Sequence, residues 1–233
     1  MIKLSKINVD VNNVYSVVKE NVYSCVDTPI RIDDIKFHHN LHIESIPNAL
    51  KYGLLSNEMK AKIIEIRELT EQEIFMYSDD HYVNGKDNIS LASTMEDSSK
   101  MSSHERLYNS YQTGLSSIIV SKNVKAGRNA KNYYNEFLVQ DKIPVDLFNS
   151  IEIRLLKLFN SKYAFRNAKT EEEKAKEFIK TYEVLREIAI FLKENNLDIP
   201  LRESSNVMCN EDSDNAITLN PEKVIEMPKL VLK

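Results

Sequence analysis

His38-His39-Asn40-Leu41-His42-Ile43-Glu44-Ser45-Ile46-Pro47-Asn48-Ala49-Leu50-Lys51-Tyr52-Gly53-Leu54-Leu55-Ser56 changes its hydrophobic period at Ser45. Three of the chain's five histidines stand in its first five positions, directly after the β-prone run Ile30–Phe37. Beyond Ser45, Ile46, Ala49 and Leu50 share a helical face, and Gly53 follows where a left-handed C-cap residue belongs. Pro47 sits in the first turn, where its missing N–H costs nothing. The stretch predicts a strand, a polar histidine corner and one short capped helix, with Leu54-Leu55 turning back into the core. Imidazoles held between a strand end and a helix start can hydrogen-bond a sugar or a phosphate. A histidine-rich surface loop would have the same composition.

On the N-terminal side, Val11, Val14, Tyr15, Val18 and Val22 form a helical stripe that Asp10 or Asn12 can cap. On the C-terminal side, Met59, Ile63, Ile66 and Leu69 are spaced to face inward from a polar helix. Asn84-Gly85 is a turn dipeptide that delivers the chain to a short strand, Ile89–Ser93. Ser117–Ser121 predicts a further strand. Lys122, Lys125, Arg128 and Lys131 then mix with Tyr133 and Tyr134 without apolar periodicity, as in a loop suited to a polyanion or one that keeps an edge soluble. Glu136–Val139 predicts a strand with its exit at Asp141–Pro144, and Ile151–Leu156 another. Thr170 caps the longest helix, which runs to Asn196 with Ala175, Phe178, Ile179, Tyr182, Leu185, Ala189 and Leu192 on one face. Ser, Asn, Asp and Glu dominate after Pro200, so residues 203–233 are expected to form a polar, loosely attached tail to a domain over 1–200.

Composition narrows the chemistry. At 233 residues with ordinary apolar and charged fractions, the chain can bury a sizeable core. No apolar run reaches membrane-spanning length, and the start lacks a signal-peptide core, so a cytoplasmic product is expected unless a signal-independent route exports it. Cys25 and Cys209 are far apart and unpaired in spacing, and no His/Cys/Asp cluster has metal-ligand spacing, so no metal is expected. The net charge of −4 argues against a broadly basic nucleic-acid binder but leaves room for a local basic cleft. Neither a G-x-G-x-x-G nor a P-loop pattern occurs among the four glycines, so a Gly-rich phosphate loop is excluded.

From His39 the chain has the form H-x-x-H-I-x-x-x-P-x-x-L-x-x-G-L-L-S. This resembles the N-terminal signature of the DarT family of ADP-ribosyltransferases. Asn135-Glu136-Phe137-Leu138-Val139, followed by Ile143-Pro144 and Ile151, resembles that family's closing segment. There a strand opens with the catalytic glutamate. The resemblance covers roughly residues 38–156. It implies an α+β fold, an ADP-ribosyltransferase-like split β-sandwich with flanking helices, and NAD+ as co-substrate. The chain departs from the family between the two segments, where no residue takes the place of a catalytic arginine. Arg67 is the nearest candidate, and this leaves the acceptor open between a nucleic-acid base in DNA or RNA and a protein side chain.

The resemblance implies a mono-ADP-ribosyltransferase, of the toxin or effector kind, with an antitoxin or an ADP-ribosyl hydrolase as a further partner. Glu136 would stabilise the oxocarbenium-like charge that develops on the ribose as nicotinamide leaves, and would take the acceptor's proton. Asp141 is the fallback carboxylate. His39 would hold a ribose or phosphate of NAD+, with His42 beside it. Ser90 would bind the nicotinamide ribose or position Glu136, with Ser93 as runner-up. Tyr108 and Tyr111 could stack on nicotinamide. Two other classes fit the same residues: a non-catalytic NAD+ or ADP-ribose sensor, and an interaction protein that docks a partner through its long helix.

Overall fold

Thr170 opens the longest helix of the structure, a computed structural model that describes residues 5–29, 37–62, 88–92, 115–120, 124–128, 136–153, 155, 168, 170–204 and 216–233. The helix spans Glu171–Glu194 and is α4 among the described helices, following the short α3 over Asn57–Lys62. The Thr170 hydroxyl accepts the Glu173 N–H at 3.1 Å, and the Glu173 carboxylate accepts the Thr170 N–H at 3.0 Å. This reciprocal capping box satisfies two otherwise orphaned donors. The predicted face is buried except at Ile179, which is half-buried, and Thr181, Val184 and Ile188 widen it. Such breadth requires partners on more than one side. They are α1 (Val14–Ser24), α2 (Ile46–Tyr52) and α5 (Pro221–Glu226). Tyr15 of α1 meets Phe178 with ring centroids 6.3 Å apart.

The helices lie with a nine-stranded sheet in one apolar core. Its strands are β2 (Val26–Pro29), β3 (Phe37–His42), β5 (Asn88–Ala92), β6 (Leu115–Val120), β7 (Gly127–Arg128), β8 (Glu136–Gln140), β10 (Phe148–Ile153), β11 (Leu201–Ser204) and β12 (Ala216–Leu219). They are ordered β2-β12-β11-β10-β6-β3-β5-β8-β7. Every adjacent pair is antiparallel except β10–β11. Two short ladders flank it. β1 (Lys6–Val9) pairs in parallel with β13 (Lys229–Leu232), and β4 (Leu54–Leu55) pairs antiparallel with β9 (Lys142–Ile143). The class is α+β.

Directly paired residues lie on the same face of a sheet, so the register sorts the chain into two faces. One row runs His39–Ile118–Ile151–Leu201–Leu219–Val26. Its neighbour, on the other face, runs Asn40–Ser117–Glu152–Arg202–Thr218–Thr28. The apolar row belongs to the same core as Phe178 and Tyr182 of α4. The sheet is therefore apolar on one face and polar on the other along its middle.

Two expectations need correction. The histidine corner is strand throughout: β3 runs to His42, and a single 3-10 turn over Ile43–Ser45 makes the corner. Pairing with β6 along the whole of β3 satisfies a backbone that the polar side chains made loop-like in sequence. Of the tail expected over 203–233, the described residues, 203–204 and 216–233, are instead built into the fold. β11 and β12 lie inside the large sheet, α5 packs on α4, and β13 holds β1. Composition misled here because Glu203 is a buried strand residue whose carboxylate accepts the Leu155 N–H at 3.2 Å. Asn220 in turn caps α5 by accepting the N–H groups of Glu222 and Lys223.

Candidate functional site

β3 is hydrogen-bonded to β5 through one backbone pair among the described residues, His38 with Ala92. On either side the pairing is extensive. β3 matches β6 over six successive pairs, and β5 matches β8 over five. The large sheet thus has a thin seam. The histidine strand, the serine strand and the glutamate strand lie side by side across it.

Glu136 opens β8 opposite Ala92, and Ala92 pairs in turn with His38. These three positions form one line across the seam. Two residues along β5, Ser90 pairs with Leu138, on the same face as Glu136. His42 belongs to that face as well, through the alternation of β3. His39 belongs to the opposite one. It continues the apolar row from Ile118, and Phe37, two residues before it, meets Phe137 with tilted rings 5.0 Å apart between centroids. The register therefore gathers Glu136, Ser90 and His42 on one face, and puts His39 on the other. His38 is the residue that reading the histidines as a corner missed. Period-two alternation carried from Phe37 to His42 would have separated it from His39.

A clasp outside the sheet closes the ends of the two signature segments. Leu54 and Leu55 pair with Ile143 and Lys142, and the Ser56 N–H donates to the Asp141 carbonyl at 2.8 Å. Gly53 makes the approach possible. Its φ is +84°, and a Cβ there would collide with the Ile143 carbonyl oxygen. The Gly53 N–H closes α2 on the Ala49 carbonyl at 2.8 Å. Asp141, the fallback carboxylate, stands exposed at the β8–β9 turn with φ +59°. An Asp tolerates that left-handed conformation, which makes it a turn-forming residue. Glu44, in the turn after β3, meets Lys180 of α4 at 2.6 Å. The hydrogen bond raises the pKa of the Lys180 ammonium and ties the end of the histidine strand to the helical layer.

The basic loop is partly strand. Gly127 and Arg128 pair with Leu138 and Phe137, so Arg128 stands on an edge strand beside β8, and Lys125 is exposed just before it. Lys122, Lys131, Tyr133 and Tyr134 lie outside the described residues, as do Arg67, Tyr108, Tyr111, Ser93 and Cys209. Among the described residues no group of three or more His, Cys, Asp or Glu side chains is placed to hold a metal ion. No described helix is long and apolar enough to cross a membrane.

Compared with known proteins, the chain matches no protein-family model, and it matches no curated protein.

Proposed function

We propose that the chain is an NAD+-dependent mono-ADP-ribosyltransferase that modifies a macromolecular acceptor, with Glu136 as its catalytic carboxylate. The observation that carries this reading is the line Glu136–Ala92–His38 across the seam, with Ser90 on the same face. It groups a carboxylate, a hydroxyl-bearing strand and a histidine strand, the three parts that the sequence resemblance implies. The seam is where a split β-sandwich would divide, because one backbone pair among the described residues joins the two parts of the sheet there. The face suits a ligand of hydroxyls and phosphates: near Glu136 it carries Ser90 and, further across, Asn40 paired with Ser117.

Bound NAD+ supplies a ribose whose bond to nicotinamide breaks with oxocarbenium-like charge on the sugar. Glu136 opposes that charge and takes the acceptor's proton. Ser90 donates to or accepts from ribose hydroxyls, or positions Glu136. His38 and His42 offer imidazole hydrogen bonds on the same face, while His39, in the apolar row, is less well placed for that role. Lys125 and Arg128, next to β8, provide positive charge for an acidic acceptor, which favours a nucleic acid among the acceptors.

The test is NAD+ consumption measured alongside NAD+ binding for the wild type and Glu136→Gln. Loss of one such contact typically lowers turnover by ~100- to 1,000-fold, about 3–4 kcal/mol. Affinity should hold, because the new charge exists only in the transition state. Normal turnover in the variant would remove Glu136 as the catalytic residue. Binding without turnover in the wild type, in the presence of a cell lysate, would favour the sensor reading.

A further inference from the structure

The ladder of β1 with β13 is separate from the large sheet and carries two like charges side by side. Lys6 and Lys229 are directly paired, so they share one face, and both are exposed. Like charges on paired strand residues repel. Lys233, just beyond β13, is offset by Asp10 at 3.4 Å, whereas neither Lys6 nor Lys229 meets a carboxylate among the described residues. The same ladder holds Ile7 and Val231, large hydrophobic residues that are 37 % and 41 % exposed. Its outer edge is open as well. The Lys229 N–H donates to the Ser5 carbonyl at 2.9 Å, and the Lys233 N–H to the Val9 carbonyl at 3.0 Å. A parallel pairing uses the backbone groups of alternate residues, here Ile7 and Val9 on β1, so those of Lys6 and Asn8 point away from β13. Among the described residues nothing pairs with them. On its other side β13 lies against α4.

We infer that the β1 edge is a docking site for an acidic β-strand of a partner protein, added as a third strand of the ladder. An unpaired edge is a template for such addition, in which main-chain hydrogen bonds give affinity and alternate side chains give specificity. A carboxylate opposite Lys6 continues the row through Lys229 and offsets the repulsion within it. The next residue of the added strand falls opposite Ile7, on the other face, where an apolar side chain covers it. The recognised strand therefore alternates acidic and apolar residues. A lysine on an edge strand by itself serves to discourage indiscriminate pairing. Lys229 lies on the inner strand, where that role needs no charge. A second copy of the chain, adding through its own β1, would bring a further lysine to a ladder that already has two without a carboxylate, so charge favours the acidic strand. The ladder is separate from the nine-stranded sheet, and the inference is independent of the transfer reaction proposed at Glu136.

The experiment is fluorescence anisotropy of the full-length chain with a labelled peptide of alternating Glu and Val, and with one of alternating Lys and Val. The acidic peptide should bind and the basic one should not. Asn8→Pro removes an outward N–H that the ladder does not use, and should weaken binding by about tenfold. Lys6→Glu should reverse the preference towards the basic peptide. Glu136→Gln should bind the acidic peptide as the wild type does, which separates this edge from the seam. Melting curves establish that each variant folds; should Asn8→Pro fail to fold, Lys6→Glu decides. No binding of the acidic peptide to the wild type would overturn the inference, as would equal binding of the two peptides or unchanged binding in the folded variants. Sedimentation showing a dimer that Asn8→Pro abolishes would assign the edge to a second copy instead. Tighter binding of a single-stranded oligonucleotide, lost in Lys6→Glu but kept in Asn8→Pro, would assign the lysines to nucleic acid and also overturn it.

Discussion

The helical layer around α4 and the seam between β3 and β5 are held by opposite means. α4 buries residues from Ala175 to Leu192 against three helices, and its start is fixed by a local capping box. Among the described residues the seam has one backbone pair, and a separate clasp between β4 and β9 joins the segment after α2 to the segment after β8. The first region draws stability from apolar area, which is non-directional and redundant. The second is joined by a few directional contacts, and weakening one of them should shift where Glu136 sits. Substitutions in the two regions should therefore separate stability from activity.

The largest effect on stability is expected from Phe178→Ala. Phe178 is fully buried at the centre of the helical layer, and such truncations cost about 3–5 kcal/mol. Urea unfolding should show one cooperative transition at a much lower midpoint, since sheet and helices share one core. Two transitions would mean that the regions fold separately. Gly53→Ala comes next, at about 1–3 kcal/mol for the strained backbone, with the Ile143 carbonyl forced away. This variant should lose more NAD+ turnover than its loss of stability explains, because it loosens the clasp. Turnover that merely tracks the folded fraction would show that the clasp does not position the seam.

Tyr182→Phe tests the helical layer more gently. The Tyr182 hydroxyl donates to the Pro228 carbonyl at 3.0 Å, and burial pushes its pKa well above the ordinary phenol range. Its loss should cost about 0.5–1.5 kcal/mol by urea titration and leave turnover unchanged. The smallest effect belongs to the link between the regions. Lys180 has its pKa raised by Glu44, so the pair's contribution is full below the unfolded lysine pKa of about 10.4 and disappears as pH rises through the higher folded value. For so exposed a pair the size is about 0.2–1 kcal/mol. Comparing wild type with Lys180→Met, urea midpoints should differ at pH 8 and converge towards pH 12.

Sequence determined what is local. The periodic stripe and the Thr170 cap set α4, Pro47 and Gly53 bounded α2, and the β-prone runs at 89, 117 and 136 marked three strands, because each depends on residues within a few positions of one another. Tertiary structure decided what depends on pairing between distant segments. It put Leu201–Ser204 and Ala216–Leu219 inside the large sheet, where a buried Glu203 had made the segment look like a tail. It also aligned His38, not His39, with Glu136. A one-residue change of register exchanges the faces of a strand, and that register is set by the partner strands, β6 and β5, not by anything within the histidine run itself.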